Sequence, residues 1–178
     1  MNRRMQILLV MTVIGKDRPG LVESIASIVA KRGGNWLESR MCRLGGEFAG
    51  ILRIHLDSEQ QPALENELAA LKTQGLSVTV SPASSKPEAA YVKAVTLELV
   101  GQDRPGIVWE ISRALARQGV NVDELSTECS SAPMSGEPLF TARARLQLPQ
   151  SCQLPQLRTE LERLAGNLVV DISIEELE

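Results

Sequence analysis

The sequence predicts an α+β fold in which one small βαββαβ module is built twice, and three observations carry that expectation. The heptapeptide Gly15-Lys16-Asp17-Arg18-Pro19-Gly20-Leu21 returns as Gly101-Gln102-Asp103-Arg104-Pro105-Gly106-Ile107, an offset of 86 residues. A self-similar period of that size marks a repeated structural unit. The offset also pairs Val22 with Val108, Ile25 with Ile111, Ala30 with Ala116, Gly33 with Gly119, Asn35 with Asn121 and Glu38 with Glu124. Each heptapeptide follows an aliphatic run and precedes an apolar stripe of helical period, so the repeat is one of structure as well as letters.

In the first copy, Met5–Ile14 reads as a strand that ends at the Gly15 turn. Residues 19–32 read as a helix with Leu21, Val22, Ile25, Ile28 and Val29 on one face, stopped by Gly33-Gly34. Trp36–Leu44 and Phe48–Leu56 read as strands joined by a tight Gly45-Gly46 hairpin. Pro62 opens a second helix with Leu64, Leu68 and Leu71 on one face; Gly75 ends it, and Leu76–Val80 is the last strand. The second copy repeats the order: strand Tyr91–Val100, helix 105–118, strands Val122–Cys129 and Leu139–Leu148, a helix marked by Leu157, Leu161 and Leu164, and strand Leu168–Ile174. Phe140 matches Phe48 at an offset of 92, so about six residues have entered near 130–136, where Ser130-Ser131-Ala132-Pro133-Met134-Ser135 extends the hairpin loop. The expected domains are 1–81 and 91–178, with 82–90 as an exposed linker rich in Ser and Pro. The order βαββαβ implies a four-stranded antiparallel sheet with two helices on one face, the ferredoxin-like arrangement. The other face needs a cover or must be polar.

Composition narrows the function. Of 178 residues, 43% are apolar, yet no run is long enough to span a membrane. Met5–Ile14 follows Arg3 and Arg4, but Gly15-Lys16-Asp17-Arg18 stands where a signal peptide would have its cleavage site, so the expected location is cytoplasmic. A net charge of −3 without a basic block argues against direct nucleic-acid binding. Cys42, Cys129 and Cys152 lack metal-ligand spacing, and His55 is the single histidine, so neither a metal site nor a cofactor is expected. Little is available for ordinary catalysis, and the chain reads as a non-enzyme.

The repeated unit is strand, Gly-x-Asp-Arg-Pro-Gly, helix, then Gly-x-Asn at the next strand. It resembles the ACT domain, a regulatory module that binds amino acids, over nearly all of the chain. Two such modules without a catalytic or DNA-binding domain resemble the glycine cleavage system transcriptional repressor family. That resemblance implies an amino-acid sensor, with glycine as the signal, that represses glycine cleavage genes through a DNA-binding activator. It also implies a ligand held at an interface between modules. Carried over residue by residue, the ligand-binding positions are Asp17, Arg18, Pro19, Gly20, Leu21 and Asn35, with Asp103, Arg104, Pro105, Gly106, Ile107 and Asn121.

The physics of the motif suits carboxylate capture. A glycine turn entering a helix leaves backbone N–H groups unpaired at the positive end of the helix dipole. Other readings stay open. Asp17 and Asp103 also suit helix capping, with Pro19 and Pro105 in the first turn. Asn35 and Asn121 also suit turn positions, and Arg18 and Arg104 suit solvent or a neighbouring acid. His55 reads as a surface strand residue. Trp109 replaces Glu23 beside the motif, which makes the copies chemically unequal and marks Trp109 as a partner or interface contact. A separate regulatory subunit of an amino-acid metabolic enzyme, or a ligand-free dimerisation module, would share these features. The sequence leaves self-association into a homo-oligomer open.

Overall fold

Alternation along β1 (Gln6–Lys16) decides the first module: Leu9, Met11 and Val13 are buried on one face, while Thr12 and Ile14 are exposed on the other. The structure, a computed structural model, describes residues 5–83, 91–131 and 136–176 and divides into two units, Met1–Lys86 and Pro87–Glu178. In the first, β1 is followed by α1 (Leu21–Lys31), β2 (Asn35–Leu44), β3 (Glu47–Asp57), α2 (Gln61–Ala70) and β4 (Leu76–Pro82). The sheet order is β2-β3-β1-β4 and every pairing is antiparallel, the expected ferredoxin-like topology. Leu21, Ile25 and Val29 of α1 and Leu64 and Leu68 of α2 close over Leu52, Ile54 and Leu56 of β3. Each such side chain stabilises the module by about 1.5–3 kcal/mol on burial. Among the described residues no polar or charged side chain is buried, so the core rests on apolar packing alone.

The second unit repeats the plan with β5 (Tyr91–Gln102), α3 (Ile107–Arg117), β6 (Asn121–Ser131), β7 (Pro138–Pro149), α4 (Leu154–Leu168) and β8 (Val170–Glu176), in sheet order β6-β7-β5-β8. Even an irregularity is copied: the register shifts at Trp36/Glu38 in one module and at Val122/Glu124 in the other. The open sheet face of the second module is mostly polar, with Arg143 Nε 3.0 Å from Glu98 Oε1 and Val100 exposed beside Thr141. That of the first mixes exposed Ile14 and Ile51 with Arg53 and His55.

Several boundaries differ from the sequence expectation. The first helices begin at Leu21 and Ile107, two residues after Pro19 and Pro105, because Gly20 (φ 90°) and Gly106 (φ 96°) are left-handed and cannot continue a right-handed helix. Leu168 belongs to α4, where Val169 (φ 55°) ends the helix, and the last strand begins at Val170. Pro82 lies in β4, and the Ala83 N–H donates to the Leu8 carbonyl, so pairing continues into the expected linker. Ser130 and Ser131 extend β6 and pair with Leu139 and Pro138, where a loop was expected. Residues 84–90 and 132–135, the rest of the expected linker and loop, lie outside the described residues.

Candidate functional site

Each module presents the same turn between its first strand and first helix. The Asp17 N–H donates to the Gly46 carbonyl at 3.0 Å, and the Asp103 N–H donates to the Pro138 carbonyl at 3.0 Å. The motif therefore leans on the tip of the neighbouring hairpin. Its first glycine is steric: a Cβ on Gly15 would lie 2.4 Å from the Gly75 carbonyl oxygen, and one on Gly101 would lie 2.3 Å from Val170 Cγ1. Its last glycine is conformational, since a Cβ on Gly20 or Gly106 would meet nothing within 4 Å. The left-handed backbone alone requires glycine there.

The aspartates do not cap the helices, contrary to one sequence reading. Gly20 and Gly106 occupy the cap positions, and neither helix start has a side-chain cap hydrogen bond. Instead Asp17 Oδ2 accepts from Arg43 Nε at 2.7 Å. In the second module Cys129 stands where the 86-residue offset places Arg43, and its thiol bonds to Asp103. Desolvation, then the Asp103 charge and that hydrogen bond, push the Cys129 thiol above its ordinary pKa. Arg18 donates to Gln74 Oε1 at 3.4 Å, and Arg104 lies 3.9 Å from Glu110 Oε1. Leu21 and Ile107 send their side chains into the cores.

Asn35 and Asn121 are not gathered with these turns inside a module. Asn35 pairs with His55, which pairs with Leu8, whereas the turn follows Lys16. Eight strand residues separate the two ends, about 26 Å at the usual rise of an extended chain. Asn121 sits equivalently beside Gln147 and Ala94. Its amide donates to Asp123 Oδ1, and Gln147 donates to Asp123 Oδ2, both at 2.9 Å.

The second module also holds a feature the sequence reading missed. A small apolar cleft of about 30 Å³, room for little more than a water or two, lies under α3 with β6 as its outer wall. Leu97, Ile111, Leu125, Phe140, Ala142 and Ala144 are among its lining. It adjoins a shallower depression at the start of α3 that Arg104, Gly106 and Trp109 line, and Ile107, Val108, Ser112 and Phe140 belong to both. A signal was present in the sequence: Ala144 stands where the 92-residue offset places Leu52. Trp109 itself is 62% exposed, with the Arg113 guanidinium 5.1 Å from its ring centre. His55 is exposed on its strand, as expected. Among the described residues no helix is long and apolar enough to cross a membrane.

Residues 7–81 and 95–143 each match the ACT domain family. The chain is 26% identical over 175 residues to phosphoserine phosphatase SerB2 of Mycobacterium tuberculosis, an alignment covering 96% of this chain and 41% of the phosphatase. It is 25% identical over 125 residues to the glycine cleavage system transcriptional repressor of Escherichia coli, covering 70% of this chain and 66% of the repressor. The chain thus spans less than two thirds of either curated relative. Among solved structures, that of an unknown protein from Galdieria sulphuraria shares 31% identity with a TM-score of 0.84, covering 98% of this chain and 100% of that one.

Proposed function

The chain belongs to the ACT-domain family, carrying two ACT domains in tandem, and we propose that it senses a small amino acid, glycine foremost, and represses glycine cleavage genes through a DNA-binding partner. The observation that carries this reading is the uncapped helix start behind a left-handed glycine, present in both modules. Unpaired N–H groups and the helix dipole there favour a carboxylate. The open space around Gly20 and Gly106 lets a ligand as small as glycine reach the backbone. In this reading Asp17–Leu21 and Asp103–Ile107 form the carboxylate-binding turns. Asn35 and Asn121, at the far end of each module, contribute only when another module brings one of them against a turn.

The relation to the glycine cleavage repressor supports the regulatory role. The net charge of −3 supports delegation of DNA contact to another protein. Ligand binding would shift the population of regulator-competent states by its difference in affinity for them. A gel shift tests the proposal: the isolated chain leaves operator DNA unshifted at physiological salt, and with the activator present it supershifts the complex in a glycine-dependent way. Tight sequence-specific binding by the isolated chain would defeat it.

The match to phosphoserine phosphatase across 96% of the chain favours a second reading, a separate regulatory subunit of an amino-acid metabolic enzyme. Such a subunit would co-purify with a catalytic chain. A ligand-free dimerisation module, which would pair through the exposed edge strands β2 and β6, would show no amino-acid response.

A further inference from the structure

The outer face of the helix layer is charged differently in the two modules. In the first, Glu23, Ser27 and Lys31 follow at one-turn spacing along α1, and Lys31 and Arg32 both donate to Glu67 of α2. The aligned places in the second module hold Trp109, Arg113 and Arg117. Leu157, Leu161 and Leu164 of α4 align with Leu64, Leu68 and Leu71, which puts Arg163 where the first module has Ala70. An open groove of about 100 Å³ runs between α3 and α4, lined by Trp109, Arg113, Ala114, Arg117, Arg163 and Leu164. The two acids on it are already engaged. Glu160 accepts from Gln118 at 3.0 Å, and Glu110 lies 3.9 Å from Arg104. Among the described residues Arg113, Arg117 and Arg163 form no ion pair. Three exposed guanidinium groups thus stand without a counter-charge on a chain whose net charge is −3.

We propose that this groove docks an acidic amphipathic helix of a protein partner. Charge complementarity selects carboxylates, because the groove's own acids are engaged and its arginines are not. Its shape selects a helix over a free anion. Trp109, Arg113 and Arg117 stand four residues apart and so repeat every turn, about 6 Å along α3. Carboxylates at i and i+4 of a partner helix repeat at the same interval, and a third helix packs naturally into the groove between two others. The Arg113 guanidinium lies over the Trp109 ring, 5.1 Å from its centre, and braces the indole as an apolar anchor beside Ala114 and Leu164. Tryptophan and arginine are the residue types that dominate binding energy at interfaces. The first module cannot offer this surface, since its cations are given to Glu67 and Glu23 stands in place of the tryptophan. The inference rests on the reading above that the chain acts through another protein, and it names the face that meets it.

A phage-displayed library of short peptides, panned on the full chain at physiological salt, tests it, with counter-selection on a Trp109→Ala/Arg117→Glu/Arg163→Glu variant. The recovered peptides should carry Asp or Glu at i and i+4 around an aromatic or aliphatic residue. They should bind the wild type at least tenfold more tightly than the variant. Arg163→Glu alone, at an exposed position, should weaken them at least threefold. No enrichment, recovery of neutral or basic peptides only, or binding that the variants retain overturns the proposal. A DNA duplex that displaces the peptides and binds more tightly than they do overturns it too, since the groove would then be a phosphate site. In the gel shift described above, a triple variant that still supershifts the activator rejects this face alone. A wild type without a supershift rejects the activator as the partner, and the panning still decides the face.

Discussion

Arg43 Nε sits 2.7 Å from Asp17 Oδ2 and so ties the end of β2 to the turn that opens α1. At the aligned place in the second module Cys129 meets Asp103. The same aspartate is thus held by a cation in one copy and by a thiol in the other. Arg43 is 70% exposed, so the ion pair is screened and contributes about 0.2–1 kcal/mol. Arg43→Ala is expected to lower the urea midpoint only slightly, by an amount in that range. A loss several times larger would mean that the turn depends on this pair far more than its exposure allows.

Cys129 provides a chemical readout of its neighbour. Removing the Asp103 charge lowers the thiol pKa, and more thiolate means faster alkylation. Asp103→Asn should therefore speed modification of Cys129 at neutral pH, followed by peptide mass mapping. An unchanged or slower rate would contradict the placement of Asp103 against the thiol.

Glu67 joins the two helices of the first module by accepting from Arg32 and Lys31. The hydrogen bond to Arg32 foremost holds its carboxyl below the ordinary carboxylate range, against an opposing desolvation effect. A depressed folded-state pKa gives stability that is complete above the unfolded value, about 4.3, and is lost as pH falls through the folded value. Wild type should lose more stability than Glu67→Gln on acidification from pH 6 to 3, measured by urea unfolding. Parallel curves would exclude the linkage.

The glycines of the motif separate by mechanism. Gly20→Ala meets no neighbour and incurs only left-handed strain, roughly 1–2 kcal/mol. Gly101→Ala drives a methyl into Val170 and should cost about 1–3 kcal/mol through overpacking. In thermal melts Gly101→Ala should be the more damaging. The reverse order would place the constraint at Gly20 in packing instead of backbone conformation.

The sequence carried the topology because the repeat and the apolar stripes are local signals: Leu21, Ile25 and Val29 declare their helix, and Gly45-Gly46 (φ 59° and 82°) declare their hairpin. Partners set by strand register were not legible. Arg43 reaches Asp17, and Asn35 falls beside His55, only because β2 and β3 pair in one register. The left-handed state of Gly20 took the cap position that one of the open readings gave to Asp17. The cleft was hidden for another reason: the offset changes from 86 to 92 across the hairpin, so Ala144 and Leu52 align only after that change is followed. The turns themselves were visible as a motif, but what touches them was not.

The central claim is that the paired glycine turns sense an amino acid, and a thermal melt of the full chain against a panel of all common amino acids tests it most directly. Glycine at about 100 times its dissociation constant should stabilise the chain by on the order of 2.7 kcal/mol, seen as a raised midpoint. A melting curve unmoved by every member of the panel would contradict the claim and leave the ligand-free dimerisation module as the better reading.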